Sequence, residues 1–197
     1  MKRISFSFTC LVLILACSCV AQKYDKFTDS RDGKVYRTVQ IGSQMWLAEN
    51  LNHPTTEGSW CYNDSMKYCD KYGRLYTWEM AKSQCPSGWH LPDDAEWQKL
   101  IDYLGGKDVA GGKLKATAGW QTPNVGATNS SGFSALPGGF RPFFQAYYNA
   151  GGYCYLWSAS GINDSEAYIW FVTFNDATIG KQSSSKTGGH NVRCVKD

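Results

Sequence analysis

The sequence has almost no excess of charge of one sign. It contains 20 lysines and arginines against 17 aspartates and glutamates, which gives a formal net charge of +3. Lys2 and Arg3 belong to the N-terminal leader, so the remaining chain carries +3 − 2 = +1. Its cations are scattered and form no basic stripe. Such a chain lacks the attraction to phosphates that nucleic-acid binding requires, and we predict no nucleic-acid partner.

After residue 22 the sequence also lacks any apolar run approaching the roughly 20 residues that a membrane-spanning helix needs. Its one long apolar run, residues 4–16, lies between Lys2-Arg3 and a group of small residues and cysteines. This three-part pattern is typical of a secretory signal peptide. We therefore predict that residues 1–21 direct export.

Two cysteines near the end of this leader offer sites for a lipid anchor. Cleavage before Cys17 or Cys19 would leave an acylated cysteine, as in an outer-membrane or cell-surface lipoprotein. Cleavage before Gln22 would instead release a secreted or periplasmic protein. We favour the lipoprotein, and we expect contact with a membrane only through the lipid on Cys17 or Cys19.

Several motifs of catalytic and metal-binding proteins are missing as well. There is no C-x-x-C pair, and His53, His90 and His190 have no zinc-ligand spacing with cysteines. The glycines of residues 132–140 lack the Lys-Ser/Thr that completes a phosphate-binding loop. No Ser-His-Asp set stands out, and no repeat runs through the chain. We predict no cofactor, no metal and no catalytic residue.

The clearest local signal is a helix that begins after Asp93. Asp93 is a good N-cap, and Glu96 completes a capping box. An apolar stripe follows and ends at Gly105-Gly106: Trp97, Leu100, Ile101 and Leu104. Such a stripe needs a sheet to cover. Asp93, Asp94 and Glu96 also form an acidic cluster, but the helix dipole stabilises carboxylates in a first turn, so capping is the favoured role.

Strand signals flank this helical region. Residues 34–41 alternate in polarity and reach residues 44–47 through a Gly42-Ser43 turn, which predicts an opening hairpin. Thr77 can cap a short helix over residues 77–82. Further strands are predicted at residues 156–158, 167–174, 177–181 and 191–195.

These elements predict one α+β domain at residues 32–197. Residues 22–31 are polar and are predicted to form a tether. A hydrophobic content of 43% supplies enough material for one core. We expect the hairpin of residues 167–181 to form the centre of the sheet.

Five cysteines lie beyond the leader: Cys61, Cys69, Cys85, Cys154 and Cys194. Export permits disulfides. Cys61 and Cys69 flank a short polar turn and are predicted to pair, which would stabilise the fold by about 2–3 kcal/mol. Asn63 and Asp64 in this turn could help to hold calcium, but as turn formers they need no ion, and we favour the turn role.

Residues 141–155, RPFFQAYYNAGGYCY, contain six aromatic rings in a short segment punctuated by glycine and proline. Exposed rings stack on the apolar faces of sugars, and tyrosines add hydroxyls at the rim. The alternative is that half of these rings face the core. The candidate ligand-binding residues are Arg141, Phe143, Phe144, Tyr147, Tyr148, Tyr153 and Tyr155.

The chain resembles the Fibrobacter succinogenes major paralogous domain, a family of exported bacterial proteins. The matching phrases, in order, are TVQIGSQMWLAENL, WCYND, YGRLYTWEMA, CPSGWHLPDDAEWQKL, GFSALPGGFR, LWSAS and NVRCVKD. More distantly, the order of helices, G-W-x-L-P motif and late R-C-V strand is similar to that of C-type-lectin-like and formylglycine-generating (sulfatase-modifying) proteins.

This resemblance implies a C-type-lectin-like fold, in which two helices flank a twisted antiparallel sheet and a long loop region holds the variable chemistry. It also implies that Cys85 pairs with Cys194. Cys154 is then left free or paired with Cys19. The chain lacks the triplet and Trp-Asn-Asp of calcium-dependent lectins, since Trp157 is followed by Ser-Ala, and the reactive cysteine spacing of the sulfatase-modifying enzymes is absent.

Three functions remain open on the sequence. We favour a non-catalytic exported module that binds a glycan or a surface protein. The main alternative is an enzyme related to the formylglycine-generating family, which would need a pair of thiolates able to take copper. A hydrolase is a further possibility, although the best acids are already expected to cap a helix.

Overall fold

The computed structural model describes residues 22–144 and 146–197, which form a mixed α+β fold with three antiparallel sheets and four α-helices. The predicted leader and the lipidation sites Cys17 and Cys19 lie outside the described residues, so they stay predictions. No helix in the described part of the chain is long and apolar enough to span a membrane.

The regular elements alternate between short strands and helices in the first half of the chain. The strands are β1 (Tyr24–Thr28), β2 (Val35–Ile41), β3 (Gln44–Leu47), β4 (Ser59–Trp60), β5 (Leu75–Tyr76), β6 (Trp89–His90), β7 (Tyr153–Gly161), β8 (Glu166–Thr173), β9 (Gly180–Ser185) and β10 (Val195–Lys196). The helices are α1 (Met66–Tyr72), α2 (Trp78–Gln84), α3 (Asp94–Tyr103) and α4 (Lys107–Leu114).

The largest sheet joins both ends of the described chain in the order β1-β2-β3-β10-β6. Its β2–β3 pair confirms the predicted opening hairpin. The tether predicted for residues 22–31 is wrong, because residues 24–28 form β1, paired antiparallel with β2. Two half-buried rings explain this strand: Tyr24 packs against the core, and Phe27 lies 5.2 Å from the Trp89 ring.

The later strands form a separate three-stranded sheet with β8 between β7 and β9. The prediction of a hairpin at the centre of a single sheet is therefore wrong. The two sheets stay separate because β10 occupies the position between β3 and β6, while β7 makes only an isolated bridge, Leu156 to Asn191, with the segment that leads to β10. β4 and β5 form a third, two-stranded sheet.

α3 forms as its sequence predicts. Asp93 accepts a hydrogen bond from the Glu96 amide, Glu96 returns one to the Asp93 amide, and the capping box is complete. The predicted stripe is buried in one core cluster: Trp97, Leu100, Ile101 and Leu104. The cap of α2 is also confirmed, because the Thr77 side chain accepts from the Met80 amide.

The structure contains two helices, α1 and α4, in addition to the two that the sequence predicts. Neither has a capping side chain, and α4 contains Gly111-Gly112, a pair that is typical of a turn. Close packing explains these glycines, since a β-carbon on Gly111 would lie 1.9 Å from the Thr178 carbonyl oxygen. α4 therefore depends on its neighbours rather than on its own helix propensity.

Two disulfides staple the described fold. Cys61–Cys69 and Cys85–Cys194 have Cα separations of 4.9 and 5.9 Å, and both confirm the predicted pairings. The second one joins the end of α2 to the residue before β10. Cys154 is buried and forms no disulfide with a cysteine among the described residues; the alternative bond to Cys19 lies outside them.

Two buried cations hold the long segment between α4 and β7. The ammonium of Lys115 donates to the carbonyl oxygens of Val125, Thr173 and Asp176 at 2.6–2.8 Å. Arg193 donates to the Asn50 side chain and to backbone carbonyls at Leu47, Phe133 and Ser134. Burial lowers the pKa of Lys115, and it lowers that of Arg193 to about 10.

His90 makes a pH-dependent link between α3 and the C-terminal strand. Its ring nitrogens lie 2.6 Å from Asp197 and 2.8 Å from Glu96. Burial alone would lower the pKa of His90, but the two hydrogen bonds raise it overall. Because the folded pKa exceeds the unfolded one, the contribution is present below about pH 6.5 and is lost as the pH rises through the folded value.

We therefore expect urea unfolding to show a free-energy loss of less than about 1 kcal/mol between pH 5.5 and pH 8.5 that is specific to His90, since the pair is partly exposed. His90→Gln should remove that increment, and Glu96→Gln with Asp197→Asn should remove it equally. An increment that persists in both variants would show that another group is responsible.

Candidate functional site

The aromatic segment forms a surface loop whose base is closed by backbone pairing. Phe140 and Tyr148 exchange two hydrogen bonds of 3.0 Å. Gly139 precedes this pair with φ +66°, and a β-carbon there would lie 2.3 Å from the Tyr148 carbonyl oxygen and 2.9 Å from the Tyr62 ring. Glycine is therefore required at this position, where the loop meets the neighbouring disulfide loop.

The structure separates the seven predicted ligand residues by exposure. Three rings are open to solvent, with exposed fractions of 68% for Phe143, 58% for Phe144 and 43% for Tyr148. Their centroids are 5.3 Å apart for Phe143–Phe144 and 6.0 Å apart for Phe144–Tyr148. We call these three rings the aromatic patch. Contiguous exposed rings are unusual on the surfaces of soluble proteins, and such patches often mark interaction sites.

The other predicted residues lie behind the patch or beside it. Tyr155 is a core residue, packed against Phe140 and His190, so its assignment to the ligand surface is wrong. The reason is that both faces of β7 are covered, with Tyr155 and Trp157 in one core cluster and Cys154 and Leu156 in the other. Tyr153 is half-buried and stacks on Tyr155 with centroids 5.5 Å apart. Of the six rings, one is buried, two (Tyr147 and Tyr153) are half-buried and three are exposed, so the alternative that half of the rings face the core is correct only in part.

The loop closed by Cys61–Cys69 lies against the other side of the aromatic segment. The Tyr62 ring is 5.2 Å from Tyr147, whose hydroxyl donates to the Asp64 carboxylate. Asn63 and Asp64 have φ values of +52°, which fits their predicted role as turn formers. The run Trp60-Cys61-Tyr62 is visible in the sequence as an aromatic pair around a cysteine. No rule of sequence spacing predicts that it contacts residues 141–148.

Arg141 is held between two rings at this junction. Its guanidinium carbon lies 4.0 Å from the Trp60 ring centroid and 6.0 Å from that of Tyr147. Two backbone hydrogen bonds with Gly189 fix its main chain. The Tyr147 hydroxyl is affected by burial and by Asp64, which raise its pKa to about 12, while Arg141 acts in the opposite direction.

A serine and a histidine meet beneath the aromatic segment. The Ser184 hydroxyl lies 2.7 Å from Nε2 of His190, and the His190 ring stacks on Phe140. Burial lowers the pKa of His190 to about 3, so it is a weak base. Nδ1 of His190 has no hydrogen-bond partner among the described residues, whereas a catalytic histidine is normally oriented through that atom.

Two other groups bear on metal or redox chemistry. Burial raises the pKa of the Cys154 thiol to about 12, which disfavours a reactive thiolate. Asp29, Asp32 and His53 lie close enough to share an ion. Arg31 already occupies both oxygens of the Asp29 carboxylate, and His53 contacts Asp32 at 3.0 Å, so both carboxylates already have protein partners.

Taken together, the described residues define an α+β domain, stapled by two disulfides, that presents an aromatic loop beside a cation. The model of the Fibrobacter succinogenes major domain family matches residues 39–196, and the chain belongs to this family. Comparisons with curated proteins and with solved structures found no match.

Proposed function

We propose that the protein is an exported, non-catalytic module that binds a glycan or a protein at the bacterial surface through the aromatic patch. The observation that supports it most is the exposure of Phe143, Phe144 and Tyr148 in mutual contact. When such rings are buried against a ligand, their apolar area is removed from water, which favours binding. A glycan is the favoured ligand because Tyr148 adds a hydroxyl to the exposed rings.

We further propose that the fold is related to the C-type-lectin-like fold. Two features support this: the disulfide from the end of α2 to the segment before β10, and the long irregular region between α4 and β7 that bears the aromatic loop. The proposed location is the cell surface or outer membrane, with a lipid on Cys17 or Cys19, or else a secreted or periplasmic form. The leader pattern of residues 1–21 supports export.

Binding to a glycan array and to bacterial cell-wall polysaccharides tests this function. We expect wild-type protein to be enriched on at least one glycan, and the triple change of Phe143, Phe144 and Tyr148 to alanine to lower its affinity at least tenfold, because each ring contributes about 0.5–1.5 kcal/mol. Tyr103→Ala is the matched control, since Tyr103 is equally exposed but lies at the end of α3.

Two results would contradict the proposal. One is the absence of enrichment on neutral and acidic glycans alike. The other is equal binding by the triple variant and wild type. Retained melting temperatures of the variants would exclude unfolding as the cause of lost binding, and exposed positions of this kind usually tolerate substitution.

A further inference from the structure

Arg141 is a buried cation that has no anionic partner among the described residues. Only 9% of the residue is exposed. None of the described ion pairs includes it, and its Nε is buried with no hydrogen-bond partner in the described chain. Withdrawing a charge from water without a counter-charge is unfavourable. The described contacts of its guanidinium with rings compensate for only part of this.

The other two buried cations show how this fold treats charges that serve structure. Lys115 and Arg193 are both buried, and each donates to three or more oxygen atoms. Arg141 has rings on its flanks, and the one side-chain acceptor beside its guanidinium in the described chain is the neutral Tyr147 hydroxyl, while its Nε has none. The Tyr147 hydroxyl stands beside the guanidinium but donates to Asp64, and Asp64 forms no ion pair with Arg141.

We infer that Arg141 is an anion receptor and that the ligand of the aromatic patch is an acidic glycan, a sugar chain carrying carboxylate or sulfate groups. This inference rests on the proposed function. Arginine presents a planar fork of donors that matches a carboxylate or a sulfate. The rings of Trp60 and Tyr147 hold that fork in place before the ligand arrives, which reduces the entropy lost on binding.

Arg141 and the aromatic patch belong to one loop, so a single sugar chain could contact both. Arg141 lies at the base of the same loop that bears Phe143, Phe144 and Tyr148. The exposed rings can stack on the apolar face of the sugar while the guanidinium binds the acidic group. A neutral sugar would leave the cation unpaired, so the site should discriminate between acidic and neutral forms of one chain.

Matched polysaccharides test this inference directly. We expect the full exported protein to bind polygalacturonate at least tenfold more tightly than fully methyl-esterified polygalacturonate, because esterification removes the charge while it adds only a methyl group. Dextran sulfate against dextran provides the sulfate arm. Preference for an acidic form in either pair supports the anion receptor and identifies its source as carboxylate or sulfate ester.

Substitutions assign the preference to Arg141. Arg141→Met should abolish the discrimination, and Arg141→Lys should retain part of it, since lysine keeps the charge but lacks the fork. Arg37→Met is the charge-matched control, because Arg37 is a partly exposed arginine on β2 that pairs with Glu49. It should leave the discrimination unchanged.

The melting temperature of Arg141→Met distinguishes an anion receptor from a residue that supports the fold, because the two roles predict changes in opposite directions. Replacing an unpaired buried cation with methionine should leave the melting temperature unchanged or raise it. A lower melting temperature together with undiminished discrimination would overturn the inference. Equal binding of acidic and neutral forms would overturn it while leaving the proposed function intact, and binding of polyglutamate without any glycan would overturn it in favour of an acidic protein. Failure to bind any glycan would contradict the proposed function itself.

Discussion

Replacing both Cys85 and Cys194 with alanine is expected to lower the free energy of unfolding by about 4–5 kcal/mol. The two cysteines are 109 residues apart, so their bond closes a long loop and lowers the entropy of the unfolded chain by more than a short-range bond would. Domains of this size are stable by only about 5–15 kcal/mol, and the variant should be close to unfolding at physiological temperature. Urea unfolding monitored by tryptophan fluorescence measures this loss.

The matched control is the double alanine variant of Cys61 and Cys69, whose separation is 8 residues. The same relation gives about 2.5 kcal/mol for this shorter loop. The ordering of the two variants is the test: a Cys61/Cys69 variant that is as destabilised as the Cys85/Cys194 variant would contradict the entropic explanation. The shorter bond should matter more for binding, because it fixes Tyr62 and Asp64 beside Tyr147.

The long-range bond matters for the site because it connects the helical half of the chain to β10. β10 lies between β3 and β6, so this one connection fixes the end of α2 to an inner strand of the largest sheet. Gly189 belongs to the segment that leads to β10, and it pairs with Arg141 through two backbone hydrogen bonds. The aromatic loop is therefore supported by the same segment that the disulfide holds.

Local sequence signals were sufficient to predict the elements whose ends are set by capping or turn residues. Asp93 and Glu96 predict the beginning of α3, and the Gly42-Ser43 turn predicts the first hairpin, because each depends on residues a few positions apart. α4 could not be predicted in this way. Its Gly111 is there to let the backbone approach Thr178, a contact that no local pattern contains.

The candidate site shows the same division. A cluster of rings in residues 141–155 is visible in the sequence, and three of them are exposed. Which rings would face solvent is not visible, because Tyr155 lies on a strand whose burial depends on its partners. The environment of Arg141 is equally impossible to read from the sequence, because the ring that packs against its guanidinium belongs to Trp60, a residue in a different part of the chain.

Lys115 connects two parts of this fold by hydrogen bonds that the sequence does not predict. Buried carbonyl oxygens need donors, and here one lies in the loop after α4 while two lie at the end of β8 and just beyond it. The ammonium of Lys115 donates to three of them, at Val125, Thr173 and Asp176. It thereby connects the irregular region to the end of β8 with a side chain alone.

Lys115→Met should therefore destabilise the protein by about 3–5 kcal/mol. Methionine fills similar volume, but it leaves three carbonyl oxygens without a donor, each at a loss of about 1–3 kcal/mol, partly offset because a buried charge is also removed. Burial lowers the pKa of Lys115, which is the sign of that offset. Urea unfolding gives the total change.

Lys113→Met is the control for this prediction, because Lys113 donates to one carbonyl oxygen only, that of Leu104, and should lose about 1 kcal/mol. Hydrogen exchange separates local from global effects: the Val125 amide, which donates to Phe174, should lose protection first in Lys115→Met. Equal losses for the two variants, or unchanged protection at Val125, would mean that the three hydrogen bonds of Lys115 do not hold this region. If the region opens as expected, the aromatic loop, which follows it in the chain, should bind its ligand more weakly even in protein that remains folded.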